Sequence, residues 1–445
     1  EAAFTPRPGT ATTSRLVPEG SLDLLYLGDA NLYGQSDTPY DPQRFRLTTL
    51  DGSVFVIDRT SGLVSVSDRN GVRLSFSSGG VSSSSGPGLA FTRDAAGRIT
   101  EVSGPASETL TYTYDAQGRL ATSRDPLGAT TTYTYDAHGR LVRATGPDGV
   151  VLVAVTYHPD GRVASRTDGR GSTISVVHDP DTFRQRVVAP DGQRSTVLTY
   201  DALGDLVTQE EIPTSGAPTV TRFTYDALGN RTSVTDPAGN VTRATYDASG
   251  NPTSVTDATG ARTTTSYDAF ANPTRVVDPT GAVSTFAYDA NHNLTTKTDR
   301  SGATTTYAYD TSGNLTTKTD AAGARTTYRY DATRRLTSTT DPTGATTTYA
   351  HDASGRLASI TDPLGGVTLF TYDAAGNLTT TTDAAGNTTT TTYDALGRAI
   401  ARRDALGAVT RSTYDAANNL TSVTDPTGAT TRHTYDAANR LTSTT

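Results

Sequence analysis

Residues 372–393 read Tyr-Asp-Ala-Ala-Gly-Asn-Leu-Thr-Thr-Thr-Thr-Asp-Ala-Ala-Gly-Asn-Thr-Thr-Thr-Thr-Thr-Tyr. The stretch divides into two turns and two strands. Residues 373–377 (Asp-Ala-Ala-Gly-Asn) form the first turn and residues 378–382 a short strand. Residues 383–386 (Asp-Ala-Ala-Gly) form the second turn, and 387–393 the return strand. Asp at the head of a turn accepts from the backbone N–H two residues on, and Gly supplies the positive φ the reversal needs. Loops of four or five residues join antiparallel strands into hairpins. Thr, Val and Tyr suit a pleated surface. Gly or Asp-Pro every ~10 residues leaves no room for a stable helix.

The stretch is one member of a series. From Tyr225 a strict 21-residue period runs through Tyr246, Tyr267, Tyr288, Tyr309, Tyr330, His351, Tyr372, Tyr393, Tyr414 and Tyr435. Asp follows every member, as Asp226, Asp247, Asp268, Asp289, Asp310, Asp331, Asp352, Asp373, Asp394, Asp415 and Asp436. Such a period is the mark of a repeat architecture. Upstream, Tyr-Asp recurs at Tyr114, Tyr135 and Tyr200, loosening between them through Tyr157 and His178. The interval from Tyr200 to Tyr225 is four residues too long, and residues 210–218 read as the loop that absorbs them. Gly229, Gly250, Asn418 and Asn439 supply residues tolerant of positive φ in the first turn; Ala271, His292 and Arg334 stand there instead and are expected to be strained.

Composition sets limits. The chain has 445 residues, 34% hydrophobic and 7% aromatic, with no Cys, Met or Trp. The apolar fraction falls below the ~45–50% of ordinary globular chains, which argues against several filled cores. Without cysteine there is no disulfide framework, thiolate metal site or cysteine nucleophile. A net charge of -8 opposes general nucleic-acid binding. No apolar run reaches the ~20 residues of a transmembrane helix. Glu1 is not a translation start, and no signal peptide is legible. Lysine occurs only as Lys297 and Lys318, a codon bias that points to a GC-rich bacterial source.

The register places Leu378 opposite Tyr372, with Leu294, Leu315, Leu336, Leu357, Leu420 and Leu441 at the same site in other units. Arg231, Pro252, Pro273 and Ala399 interrupt that row. A Tyr–Leu ladder along one rim follows, its pairs worth roughly 0.2–1 kcal/mol each. More than thirty strands at ~4.8 Å would extend about 150 Å, and open sheets rarely pass ~10 strands without curling. The expected fold is all-β: tandem antiparallel hairpins in one long spiralling sheet, stabilised between nearest neighbours as in a β-solenoid.

The unit Tyr-Asp-Ala-x-Gly-Asn/Arg-Leu-Thr-x-x-Thr-Asp-Pro-x-Gly resembles the YD repeat of Rhs proteins, whose relatives include teneurins and the C component of insecticidal toxin complexes. The resemblance covers residues 91–445. It implies a hollow β-sheet cocoon that in bacterial members encloses a toxic C-terminal domain. Residues 47–90 look like divergent early repeats, and 1–46 form a non-repetitive lead. No Rhs core motif and no toxin domain are present in these 445 residues.

Individual side chains argue for structure before chemistry. Each Asp heads a turn, and calcium sites need several converging carboxylates. The histidines are scattered, and His178 and His351 replace repeat tyrosines. Asn-Leu-Thr triplets such as 293–295 are turn exits that read as glycosylation sites only by coincidence. The expected site list is therefore structural: the Tyr and Asp pairs of the repeat, with no catalytic residue, metal or cofactor. The expected function is non-enzymatic, a shell segment of a secreted or surface protein whose partner is an enclosed polypeptide domain. A surface adhesion module binding glycans through the tyrosine rows, and a repeat filament, are the rivals.

Overall fold

The computed structural model describes residues 15–18, 25–26, 32–33, 43–49, 51–105, 108–147, 149–436 and 440–445. Asn439 and most of residues 1–46 lie outside the described residues. The protein is all-β, and no helix occurs among the described residues. The strands are tandem antiparallel hairpins in one sheet, with a separate two-stranded pair at Leu25–Tyr26 and Leu32–Tyr33. Five-residue strands such as Leu378–Thr382 alternate with six-residue strands such as Thr388–Tyr393.

The chain divides into two compact units. One comprises Glu1–Ala90, Asp226–Asn230 and Thr242–Thr346; the other comprises Phe91–Tyr225, Arg231–Val241 and Thr347–Thr445. In the first, Arg44–Thr48 pairs with Arg15–Pro18 on one side and Val54–Asp58 on the other. In both, successive strands pair antiparallel in chain order. Tyr372 stands opposite Leu378, and the same pairing joins Tyr288 to Leu294, Tyr309 to Leu315, His351 to Leu357 and Tyr414 to Leu420.

The register carries a feature that the period does not reveal. Thr371 pairs with Thr380 but Tyr372 pairs with Leu378, so Thr379 is an extra residue, a β-bulge. Its hydroxyl donates to the Thr371 carbonyl at 3.1 Å. Thr295, Thr316 and Thr337 do the same to Ala287, Ala308 and Arg329 at 3.1 Å each. The bulge disturbs the ladder, and the threonine of the Leu-Thr exit supplies a donor to a carbonyl beside it. Bulges increase local twist, and the same shift recurs beside Tyr225, Tyr288, Tyr309 and Tyr414, though not in the hairpin of residues 173–188.

One expectation needs correction. Residues 210–218 are not all loop, because Leu206–Ile212 and Thr219–Tyr225 are seven-residue strands pairing Glu210 with Val220 and Glu211 with Thr219. The additional length therefore goes partly into longer strands, whose backbone groups gain ladder partners. Only residues 213–218 connect them.

Burial confirms how little apolar packing is present. Among the described residues the buried apolar side chains are Val56, Ala144 and Val197, while Ser65, Ser195, Ser254, Asn293 and Ser422 are equally buried. Threonine hydroxyls pair across strands instead, as in Thr371–Thr380 at 2.6 Å and Thr382–Thr388 at 2.8 Å. Ser254 and Ser422 bond to Thr245 and Thr413 on the neighbouring strand. Ser65 faces Val56 in that register and its hydroxyl has no partner. A buried unsatisfied hydroxyl costs roughly 1–3 kcal/mol. Ser65→Ala should thus raise the urea midpoint of the full chain, by about 1 kcal/mol of stability; a lower midpoint would show that the hydroxyl is satisfied.

Candidate functional surface: the two turn rims

Alternating strands put all Tyr-Asp turns on one edge, the tyrosine rim, and the second turns of each unit on the other, the distal rim. Both are built alike. Asp373 N–H donates to the Asn377 carbonyl and Gly376 N–H to the Asp373 carbonyl. Asp373 Oδ1 accepts from the backbone of Ala375 and Asn377, and Oδ2 from the Asn377 amide at 2.9 Å. On the distal rim Asp383 makes the same set with Ala385 and Asn387. The carboxylate thus takes two N–H groups that a five-residue loop would leave open. Asp226, Asp247, Asp268, Asp289, Asp310, Asp331, Asp394 and Asp415 each accept from the residues two and four places on. Asp436 accepts from the Arg440 backbone.

The tyrosines tie units together. Tyr393 Oη donates to the Leu378 carbonyl at 2.9 Å. Tyr225, Tyr267, Tyr288, Tyr309, Tyr372, Tyr414 and Tyr435 likewise reach the carbonyl at the leucine site of the preceding unit, at 2.9–3.0 Å. Tyr246 and Tyr330 stand opposite Pro252 and Leu336. Burial pushes the Tyr309 and Tyr330 phenols up. His178 takes the tyrosine's role, its Nε2 lying 3.3 Å from the Val163 carbonyl. The sequence showed His178 as a replacement for the repeat tyrosine, without this bond.

Arginine at the turn exit does more than the asparagine it replaces. Arg398 Nε bonds to Asp394 at 2.7 Å, and Nη1 donates to the carbonyl of Asp415, one unit on, at 3.0 Å. Its guanidinium lies 5.2 Å from the Tyr414 ring centre. Arg119 and Arg356 repeat the arrangement toward Asp136 with Tyr135 and toward Asp373 with Tyr372. Each such residue bridges its own turn to the next, a charge-assisted and cation–π contact in one side chain.

Within each unit the distal rim of an early stretch meets the tyrosine rim of a late one. In the first unit Asn293 Nδ2 donates to Asn70 at 3.3 Å and Arg334 lies 3.5 Å from Asp68, across 223 and 266 residues of chain. A Cβ on Gly313 would sit 2.3 Å from the Asn70 side chain. In the second unit Arg170 donates to the carbonyls of Asp436 and Tyr435, at 2.9 and 3.2 Å, and pairs with Asp415 at 3.4 Å. Ser354 donates to Glu108. Three of the strained residues, His292, Arg334 and Asn418, fall on or beside this seam. Ala271, His292, Arg334 and Asn418 carry φ of 63°, 61°, 65° and 69°. Of these, His292 faces Gly52, Arg334 reaches Asp68, and Asn418 accepts from Arg398 beside Arg170's partner Asp415. Those departures from glycine were the available signal for the seam. No group of three His, Asp or Glu able to hold a metal occurs among the described residues.

Residues 281–445 match the family model described as Teneurin YD-shell, and residues 93–128, 116–151, 200–241 and 246–283 match RHS Repeat. The chain belongs to the Rhs/YD-repeat family. No curated protein matches it. Among solved structures it is similar to TcdB2-TccC3, at 15% identity and a TM-score of 0.62 over 93% of this chain and 30% of that one. TcdB2-TccC3-TEV follows at 14% and 0.52, over 92% and 31%, and TcdB2-TccC3-Cdc42 at 16% and 0.51, over 91% and 24%. These likenesses show the fold, and this chain spans less than a third of the length of each.

The turn carboxylates predict an acid response. Backbone N–H of Arg194, its guanidinium and backbone N–H of Gln193 pull Asp191 down to about 2. The Asn240 amide and N–H likewise hold Asp236 below the usual range. A carboxylate depressed by folding stabilises above its unfolded pKa of ~3.9 and loses that contribution as pH falls through the folded value. The β signal in circular dichroism should stay constant from about pH 7 to pH 4.5 and fall between about pH 4 and 2; an unchanged fold at pH 2 would contradict this.

The seam has its own test. A Cβ on Gly169 would lie 2.4 Å from the Ala416 carbonyl and 2.8 Å from that of Val151. Gly169→Ala should lower stability by about 1–3 kcal/mol, read from the urea midpoint, and no change would show the rims to be apart.

Proposed function

We propose that this chain is a segment of shell wall that compartmentalises a polypeptide, in a secreted or surface-exposed protein. One observation carries the reading: a sheet of paired hairpins whose described residues bury almost no apolar side chain. Backbone ladders, threonine hydroxyls and turn carboxylates hold such a wall. Its faces are dominated by threonine, among which aliphatic side chains such as Leu110, Val177 and Leu369 stand exposed. The seam supports the reading too, because within each unit rims that meet leave less of a gap through which an enclosed chain could be reached. The likeness to TcdB2-TccC3 supports the same class of architecture. The role is structural, and it works by exclusion: an enclosed domain is kept from proteases and partners until release. Every group conspicuous in the repeat already serves a turn, a ladder or a bridge, and the reading assigns no catalysis.

The test extends the full chain beyond Thr445 with a disordered reporter polypeptide. Enclosure predicts that protease cleaves the reporter about tenfold more slowly than on an unrelated carrier, since cleavage follows the accessible population. Equal rates would remove the enclosure reading and leave the fold untouched.

A further inference from the structure

The seam explains one leucine of the distal rim, Leu127, and leaves two others, Leu364 and Leu406, uncovered. Leu127 is the third residue of the distal turn that begins at Asp125. Together with Leu396, the third residue of a Tyr-Asp turn, it lines a cleft of about 360 Å³ in which the two rims face each other across Ala375, Asn377 and Gly397. Leu127 is 43% exposed there. Leu364 and Leu406 occupy the same place in the distal turns that begin at Asp362 and Asp404. They are 97% and 95% exposed. Turn formation does not require leucine at this place, since Ala385 and Thr427 occupy it in sister units and their backbone N–H groups bond to the turn aspartate in the same way.

The tyrosine rim carries the counterpart. Leu203, third in the turn that begins at Asp201, corresponds to Leu396 and is 70% exposed. Beside it a cleft of about 590 Å³ opens, with Pro180 and Phe183 on its apolar side and Arg162 and Arg184 at its edge. Phe183 is half exposed despite a φ of 53°. Charge runs both ways across the seams: distal-rim Asp68 meets tyrosine-rim Arg334 in the first unit, and distal-rim Arg170 meets tyrosine-rim Asp415 in the second. Arg162 and Arg184 at the cleft pair with Asp160 and Glu210 at 3.8 and 3.7 Å, beside Asp179 and Asp201, so the apolar contact of the leucines with Pro180 and Phe183 carries the match rather than charge.

We propose that these surfaces join two copies of this chain, the distal rim around Leu364 and Leu406 seating on the tyrosine rim around Phe183 and Leu203 of a second copy. The contact continues the geometry of the Leu127–Leu396 seam from one chain to the next. One leucine enters the cleft beside Leu203, and the other, 42 residues away in sequence, sits four strands further along the same rim, since both rims present one turn for every two strands. The interface is heterologous, head to tail, so copies add in series rather than stopping at a two-fold dimer. It differs from strand addition at a sheet end, because no backbone ladder forms.

Sedimentation velocity of the full chain over a concentration series tests this. Wild type should form concentration-dependent oligomers. Leu364→Asp with Leu406→Asp should weaken association at least tenfold, and Leu203→Asp should do the same from the other side, with circular dichroism unchanged. Mixing the two variants should restore a dimer that grows no further, because each keeps one intact rim. A wild-type chain that stays monomeric would assign these leucines to a different occupant, such as a further stretch of YD-repeat sheet, and overturn the proposal. Oligomers indifferent to the substitutions would overturn it equally. Neither outcome bears on the protease test of enclosure.

Discussion

Everything in this fold depends on one carboxylate held by its own turn. An Asp at the head of most five-residue loops accepts from the N–H groups two and four residues on, while Gly or a strained substitute supplies the positive φ; Thr49, Gly146 and His158 head the exceptions. That closure is local and repeats about every ten residues. It fixes where each strand ends without help from a core. A chain poor in large apolar groups can fold this way because the turns and the ladder, rather than side-chain packing, satisfy the backbone.

The other recurrent residues complete what the turn begins. Tyrosine sends its hydroxyl to a carbonyl of the preceding unit, so neighbouring hairpins share a polar bond as well as a Tyr–Leu contact. Arginine at the turn exit spans from its own Asp to the next turn and the next ring. Where the bulged residue is threonine, as at Thr295, Thr316, Thr337 and Thr379, it donates to a carbonyl beside the disturbed ladder, and the bulge adds twist there. Stability of this kind is a sum of nearest-neighbour terms, which tolerates substitutions such as Pro252, Pro273 and His351 along the row.

The turns, the strand alternation and the Tyr372–Leu378 register were legible in the sequence because all of them are set within a dozen residues. The family was legible for the same reason. The Thr379 bulge was not, since a period of 21 residues is indifferent to which residue is left unpaired. The Tyr–carbonyl bonds and the arginine bridges were hidden because they depend on where side chains lie across a twisted sheet. The seam was furthest from view. Contacts such as Asn70–Asn293 and Arg170–Asp415 join turns more than two hundred residues apart, and their spacing follows from accumulated twist. Of the turn residues whose strain the sequence showed, His292 and Arg334 lie on it.

The central physical claim is that backbone and polar groups, and not an apolar core, hold this sheet together. Calorimetry measures it most directly. Unfolding ordinary domains raises the heat capacity by about 12–15 cal/mol/K per residue, because apolar surface is hydrated and polar surface offsets only part of it. Few apolar side chains are buried here, so the increment per residue for the full chain should fall well below that range. A value at or above ~12 cal/mol/K per residue would mean that a conventional apolar core is exposed on unfolding, and would contradict a wall held by its backbone.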